Sequence, residues 1–153
     1  MTPTTFDAPW TLDTNVLVYA TEPDAPLSKQ GAARSLMGGL TQSAHACLVG
    51  QVMGEYMTVA LRKNVTTRAS VLELLTNLAS GVKVLGASPG CYQAAFELVA
   101  RHHYQLWDAL IIAVCAEHGV KTLYSEDAGS LKRPLGVHVI NPFTHPVGEL
   151  KTG

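Results

Sequence analysis

The sequence predicts an α/β fold with a mostly parallel sheet covered by helices on both faces. Three observations point to it. Short apolar, β-branched runs alternate with longer segments of helical period. One helical segment, residues 106–118, is apolar nearly all round, as a helix in the centre of a core must be. Acidic residues interrupt or follow apolar runs on what would be one edge of the sheet, where open α/β folds place their sites.

Residues 1–9, rich in Thr and Pro, read as a loose leader. WTLD (10–13) reads as a strand, and TNVLVYA turns into a helix stopped by the two prolines of 22–26. Residues 27–40 have helical period, with Ala32, Leu36 and Leu40 on one stripe and Gly38-Gly39 weakening the end. HACLVG (45–50) is a second strand. A helix over 51–63 follows, with Val52, Tyr56 and Val59 on one face. The next helix, 67–78, has a capping Thr at 66 or 67. VKVLG (82–86) is a third strand; Ser88-Pro89 then opens a helix to about residue 103, with a cap and a proline at its first position. After the apolar helix closed by Gly119 come strands at 121–125 and 137–141. Residues 10–145 thus form one domain and 146–153 a C-terminal tail.

At 153 residues, 47% of them apolar, the chain suffices for one domain with a substantial core. A net charge of −1 gives no broad basic surface of the kind that marks strong nucleic-acid binding. If the acids share a pocket, the remaining surface is mildly positive, and local binding of a polyanion stays open. Cys47, Cys91 and Cys115 are odd in number and widely spaced, which fits neither a zinc site nor a disulfide framework. Cys115, in the apolar helix, reads as a buried reduced thiol. No segment has the pattern of a signal peptide, and the longest apolar run, 109–116, is too short to span a bilayer. A cytoplasmic location without membrane contact is expected.

The chemistry lies in four acids: Asp13, Glu55, Asp108 and Asp127. The chain has only five aspartates and three are in this set. Singly, each has a plain structural role: Asp13 a cap, Asp108 a helix-start residue, Glu55 a solvated helix position, Asp127 a turn former. Jointly they fall near one sheet edge. Like charges brought together need a cation or shared protons, and a hard divalent ion with oxygen ligands is the simplest answer. Metal-dependent phosphodiester chemistry follows.

These residues resemble a PIN domain, the nuclease fold of the VapC-type toxins of bacterial toxin–antitoxin pairs. The resemblance runs from LDTNVLVYA through EYMTVALRK and WDALIIAVCAEHG to LYSEDAG and VHVINPF. LDTNVLVYA and LYSED are specific when found together in this order. The family's acidic positions carry over to Asp13, Glu55, Asp108 and Asp127, its small hydroxyl residue to Ser125 and its polar residue after Asp-Thr to Asn15. The resemblance implies a three-layer α/β/α fold, Mg²⁺ or Mn²⁺ dependence, endoribonuclease activity, a homodimer and a cognate antitoxin.

Mg²⁺ keeps several waters, so two or three carboxylates per ion suffice. Asp13 and Asp108 are read as the direct ligands. Asp127, with Glu55, completes a second ion site or acts through coordinated waters, and Ser125 and Asn15 orient ligands or waters. Arg62-Lys63 and Lys132-Arg133 are the cationic pairs available to a substrate strand, and single-stranded RNA is favoured because its bases are exposed. Trp107 and Tyr104 read as core residues before base-stacking ones, and His102-His103 as a helix-end pair. A catalytically idle RNA- or protein-binding module is the alternative. An aspartyl-phosphate phosphatase is excluded because Asn15 stands where that chemistry uses a second Asp.

Overall fold

The computed structural model describes residues 7–127 and 129–144. Most of the expected leader and all of the expected tail at 146–153 lie outside the described residues. The elements are β1 (Trp10–Leu12), α1 (Thr14–Thr21), α2 (Leu27–Gln42), β2 (Cys47–Val49), α3 (Gly50–Lys63), α4 (Arg68–Gly81), β3 (Lys83–Leu85), α5 (Pro89–His102), α6 (Leu106–Glu117), β4 (Thr122–Tyr124) and β5 (His138–Ile140). A single 3-10 turn, Pro134–Gly136, precedes β5. It holds Leu135 in the left-handed region at φ 52° and has no counterpart in the sequence reading.

Local signals set most boundaries. Thr67 caps α4 by accepting from the Ser70 N–H at 3.1 Å, and Ser88 caps α5 by accepting from the Cys91 N–H at 3.3 Å, with Pro89 in its first turn. Three expectations change. α2 runs through Gly38-Gly39 to Gln42, because Gly39 lies against the core: a Cβ there would stand 3.2 Å from the Trp10 indole. The buried stripe of α2 is Ala33, Leu36 and Leu40 rather than one starting at Ala32. On α3, Ala60 takes the buried position expected of Val59. Both corrections are one-residue rotations of a helix face, and helix period alone does not fix that phase when Ala or Val flanks the stripe.

All strand pairs are parallel: β1 with β4, β4 with β5, and β2 with β3. A parallel bridge from Trp10 to Ala46 joins the two ladders, so the order across the molecule is β3-β2-β1-β4-β5. The chain moves outward from β1 to β3 through α1–α4, then returns through α5 and α6 to β4. Right-handed crossovers in opposite directions put these helix groups on opposite faces. The packing agrees: α1 lies against α2 and α3, α3 against α4, and α5 against α6. The result is a three-layer α/β/α domain. Its core centres on Trp10, which meets Tyr124 edge-on at 5.7 Å and donates its indole N–H to Ser43 Oγ. The three cysteines are free and buried, and burial pushes the Cys47 thiol up to about 11.

Candidate active site

The strand order reverses direction between β1 and β4, and ligands of open parallel sheets bind at the carboxyl ends of such a pair. Asp13 follows β1 directly. Its Oδ1 accepts from the Thr14 N–H at 2.7 Å, capping α1, and its Oδ2 accepts from Ser125 Oγ at 2.9 Å. Ser125 follows β4 and is fully buried. Its hydroxyl also accepts from the Asp127 N–H at 3.2 Å, closing a tight turn that carries Asp127 back toward the strand ends. Asp127 Oδ1 in turn accepts from the Gly129 N–H at 3.3 Å. Gly129 has φ 67°, and a Cβ there would lie 2.4 Å from the Tyr104 ring, so glycine is required on both counts.

Asp108 sits in the first turn of α6, where the helix dipole favours a carboxylate. Glu55 comes from α3, and its Oε1 accepts from Gln51 Nε2. The same amide donates to the Trp107 carbonyl at 3.0 Å, tying α3 to the start of α6. All four acids line one open cleft of about 410 Å³, together with Asn15, Glu22, Arg62, Lys63, Gln105 and others.

The electrostatics follow from this crowding. Burial raises the Asp108 carboxyl to about 6, and Asp13, Asp127 and Glu55 each add to the rise. Burial raises Asp13 as well, opposed by the Thr14 and Ser125 hydrogen bonds and reinforced by Asp127. Such a cluster is relieved by a cation. The donors are all oxygens, the choice of a hard ion, and Thr14 Oγ1 beside them is buried without a protein partner. Among the described residues, no group of three or more His, Cys, Asp or Glu side chains is arranged to hold a metal ion. An ion that keeps most of its water shell, as Mg²⁺ does, needs only one or two such carboxylates. Asp13 and Asp108, the pair expected from the sequence as direct ligands, both line the cleft and are the residues that would hold it.

Of the other expected residues, Asn15 lines the cleft and accepts from the Glu126 N–H at 3.4 Å. Arg62 and Lys63 line it too, whereas Lys132 and Arg133 are exposed and stand outside its lining. Tyr104 is buried as expected, and its hydroxyl accepts from the Leu131 N–H. Trp107 is not a core residue: it is 56% exposed. His102 and His103 end α5 at the surface. Glu22 and Tyr19, which the sequence reading left out, also line the cleft. Glu22 had read only as part of the α1 stop. Glu126, between Ser125 and Asp127, pairs with Lys29 and accepts from the Tyr19 hydroxyl at 2.8 Å, latching the α1–α2 hairpin to the Asp127 turn.

A PIN-domain family profile matches residues 11–134, a stretch that contains all four acids. The chain belongs to the PIN-domain family. PIN domains are nucleases that generally use divalent metal ions. Several solved structures share the fold. VapC20 of Mycobacterium tuberculosis, a toxin that cleaves the sarcin–ricin loop, is 24% identical with a TM-score of 0.62, over 77% of this chain and 89% of that one. A toxin–antitoxin complex from Klebsiella pneumoniae is 17% identical with a TM-score of 0.62, over 86% and 96%. VapBC2 of Rickettsia felis, bound to a DNA fragment from its promoter, is 19% identical with a TM-score of 0.59, over 86% and 97%. At these identities the likeness is one of fold. Among curated proteins, no sequence matches this PIN domain.

Proposed function

We propose that this PIN domain is a metal-dependent endoribonuclease, the toxin of a toxin–antitoxin pair, which hydrolyses phosphodiester bonds in single-stranded or loop RNA. The observation that carries the proposal is the convergence of Asp13, Glu55, Asp108 and Asp127 on one cleft at the β1/β4 switch point. A bound Mg²⁺ or Mn²⁺ would supply an activated water and offset charge on the phosphate. The chain's own residues do the rest. Asp13 is held at both oxygens, so it presents a fixed carboxylate rather than a rotating one. Ser125 sets that orientation and the Asp127 turn together. Glu55, steadied by Gln51 through one oxygen, would complete a second ion site or act through a coordinated water with the other. Arg62 and Lys63 draw the RNA backbone to the acidic mouth.

A cognate antitoxin is supported by the fold shared with the Klebsiella and Rickettsia proteins, and a homodimer by the family resemblance. The antitoxin would place an Arg or Lys among the carboxylates, since a guanidinium binds two carboxylate oxygens at once. The test is cleavage of single-stranded RNA by the purified chain with Mg²⁺ or Mn²⁺, followed by sequencing of RNA ends after induced expression. EDTA is expected to abolish cleavage; full activity in excess chelator would overturn the metal mechanism. Absence of growth arrest on expressing the chain alone would overturn the toxin reading.

A further inference from the structure

Beside the acidic cleft lies a second depression of about 470 Å³, lined by Gln51, Gly54, Glu55, Thr58, Val59 and Trp107. Glu55 and Val59 belong to both, so the two are continuous along α3. Trp107 is more than half exposed and immediately precedes Asp108. Its backbone is anchored through the Gln51 amide that also holds Glu55, which fixes the foot of the indole relative to the carboxylates. Ala109 through Cys115 are buried, so the exposed Trp107 stands where the first turn of α6 leaves the core.

Gly54 lies on the wall of this depression, beside Trp107. It lies inside α3, where glycine destabilises a helix by about 1 kcal/mol relative to alanine. Nothing in the fold requires it: its φ is not positive, and a Cβ would meet nothing within 4 Å. It does keep open the wall of the depression that contains Trp107.

We propose that Trp107 and the Gly54–Thr58 wall form a base-stacking subsite, which takes the nucleobase of a single-stranded RNA whose adjoining phosphate lies at the carboxylates. The inference rests on the nuclease reading above and deepens it. An apolar recess with an aromatic wall, contiguous with an acidic site flanked by Arg62 and Lys63, matches a nucleotide's flat base next to its charged phosphate. Stacking on an indole is tolerant of base identity, so the subsite positions the strand rather than reading its sequence.

Fluorescence can follow it, because the chain has two tryptophans and Trp10 is fully buried. Asp13→Asn protein is titrated with oligoadenylate and oligouridylate ribonucleotides in Mg²⁺, and both are expected to quench the indole emission. In the wild-type background, Trp107→Ala and Gly54→Leu should each raise KM roughly 5- to 150-fold, the range of one lost base stack. Their kcat should stay within about twofold, and Trp107→Phe should retain most of the affinity. Gly54→Leu should not lower Tm, which separates a blocked subsite from a damaged fold. Unchanged emission at saturating RNA, with unaltered KM in both variants, would overturn the subsite while leaving the nuclease intact. Wild-type protein that neither binds nor cuts RNA would overturn both readings. A Trp107→Ala protein that cleaves normally but escapes its antitoxin, or no longer dimerises, would assign the surface to a protein and overturn the proposal.

Discussion

Ser125 Oγ donates to Asp13 Oδ2 at 2.9 Å across 112 residues of sequence. Parallel pairing of Leu12 with Tyr124 brings the residues that follow each strand side by side. The bond therefore joins the two strand ends that frame the site. It also gives a buried carboxylate the hydrogen bond that burial makes necessary.

Ser125→Ala is expected to leave one Asp13 oxygen without a protein donor and to loosen the Asp127 turn. Cleavage should fall about 10- to 100-fold, the usual effect of losing a group that orients a metal ligand. The loss should be partly recovered at higher Mg²⁺, measured as a shift in the half-saturating ion concentration. An unchanged Mg²⁺ dependence would remove Ser125 from the site.

Asp13→Asn and Asp108→Asn should each reduce cleavage more than about 100-fold with the fold retained. Asparagine preserves the cap of α1 at position 13, so that helix stays in place. In metal-free protein both changes relieve crowding among carboxylates, and Tm should rise or hold. Near wild-type turnover in either variant would refute the assignment of ligands.

The pH dependence of stability follows from Asp108, whose carboxyl moves from 3.8 to about 6 on folding. Between those values the folded chain holds a proton that the unfolded chain has lost. The contribution to stability is thus complete below the unfolded value and disappears as pH rises through the folded one. For chelated protein, denaturant unfolding should show Asp108→Asn matching wild type at about pH 4 and exceeding it by on the order of 1–2 kcal/mol at about pH 7. Added Mg²⁺ should narrow that gap by stabilising wild type. A gap independent of pH would contradict the crowding.

Arg62→Gln and Lys63→Gln should raise KM for RNA and lower its salt dependence by about one counterion each. Lys132→Gln and Arg133→Gln, outside the cleft lining, should change neither. Equal effects from the two pairs would place the RNA along a different path.

What the sequence by itself determined is local. The Thr67 and Ser88 caps, the nearly all-apolar α6 and the five short strands were legible because each depends on residues a few positions apart. The four acids were legible because carboxylates breaking apolar runs are unusual, and three of them follow strand ends or begin a helix. Tertiary structure decided what depends on which faces meet. It brought Ser125 to Asp13, chose Arg62-Lys63 over Lys132-Arg133 for the cleft, added Glu22 to its wall and placed Gly39 against Trp10. Trp107 shows the reason most plainly. Helix period reveals a buried face only when the opposite face is polar, and α6 is apolar nearly all round, so its pattern says little about where its first turn leaves the core. That exit point is set by the order and register of the strands, which no local stretch of sequence encodes.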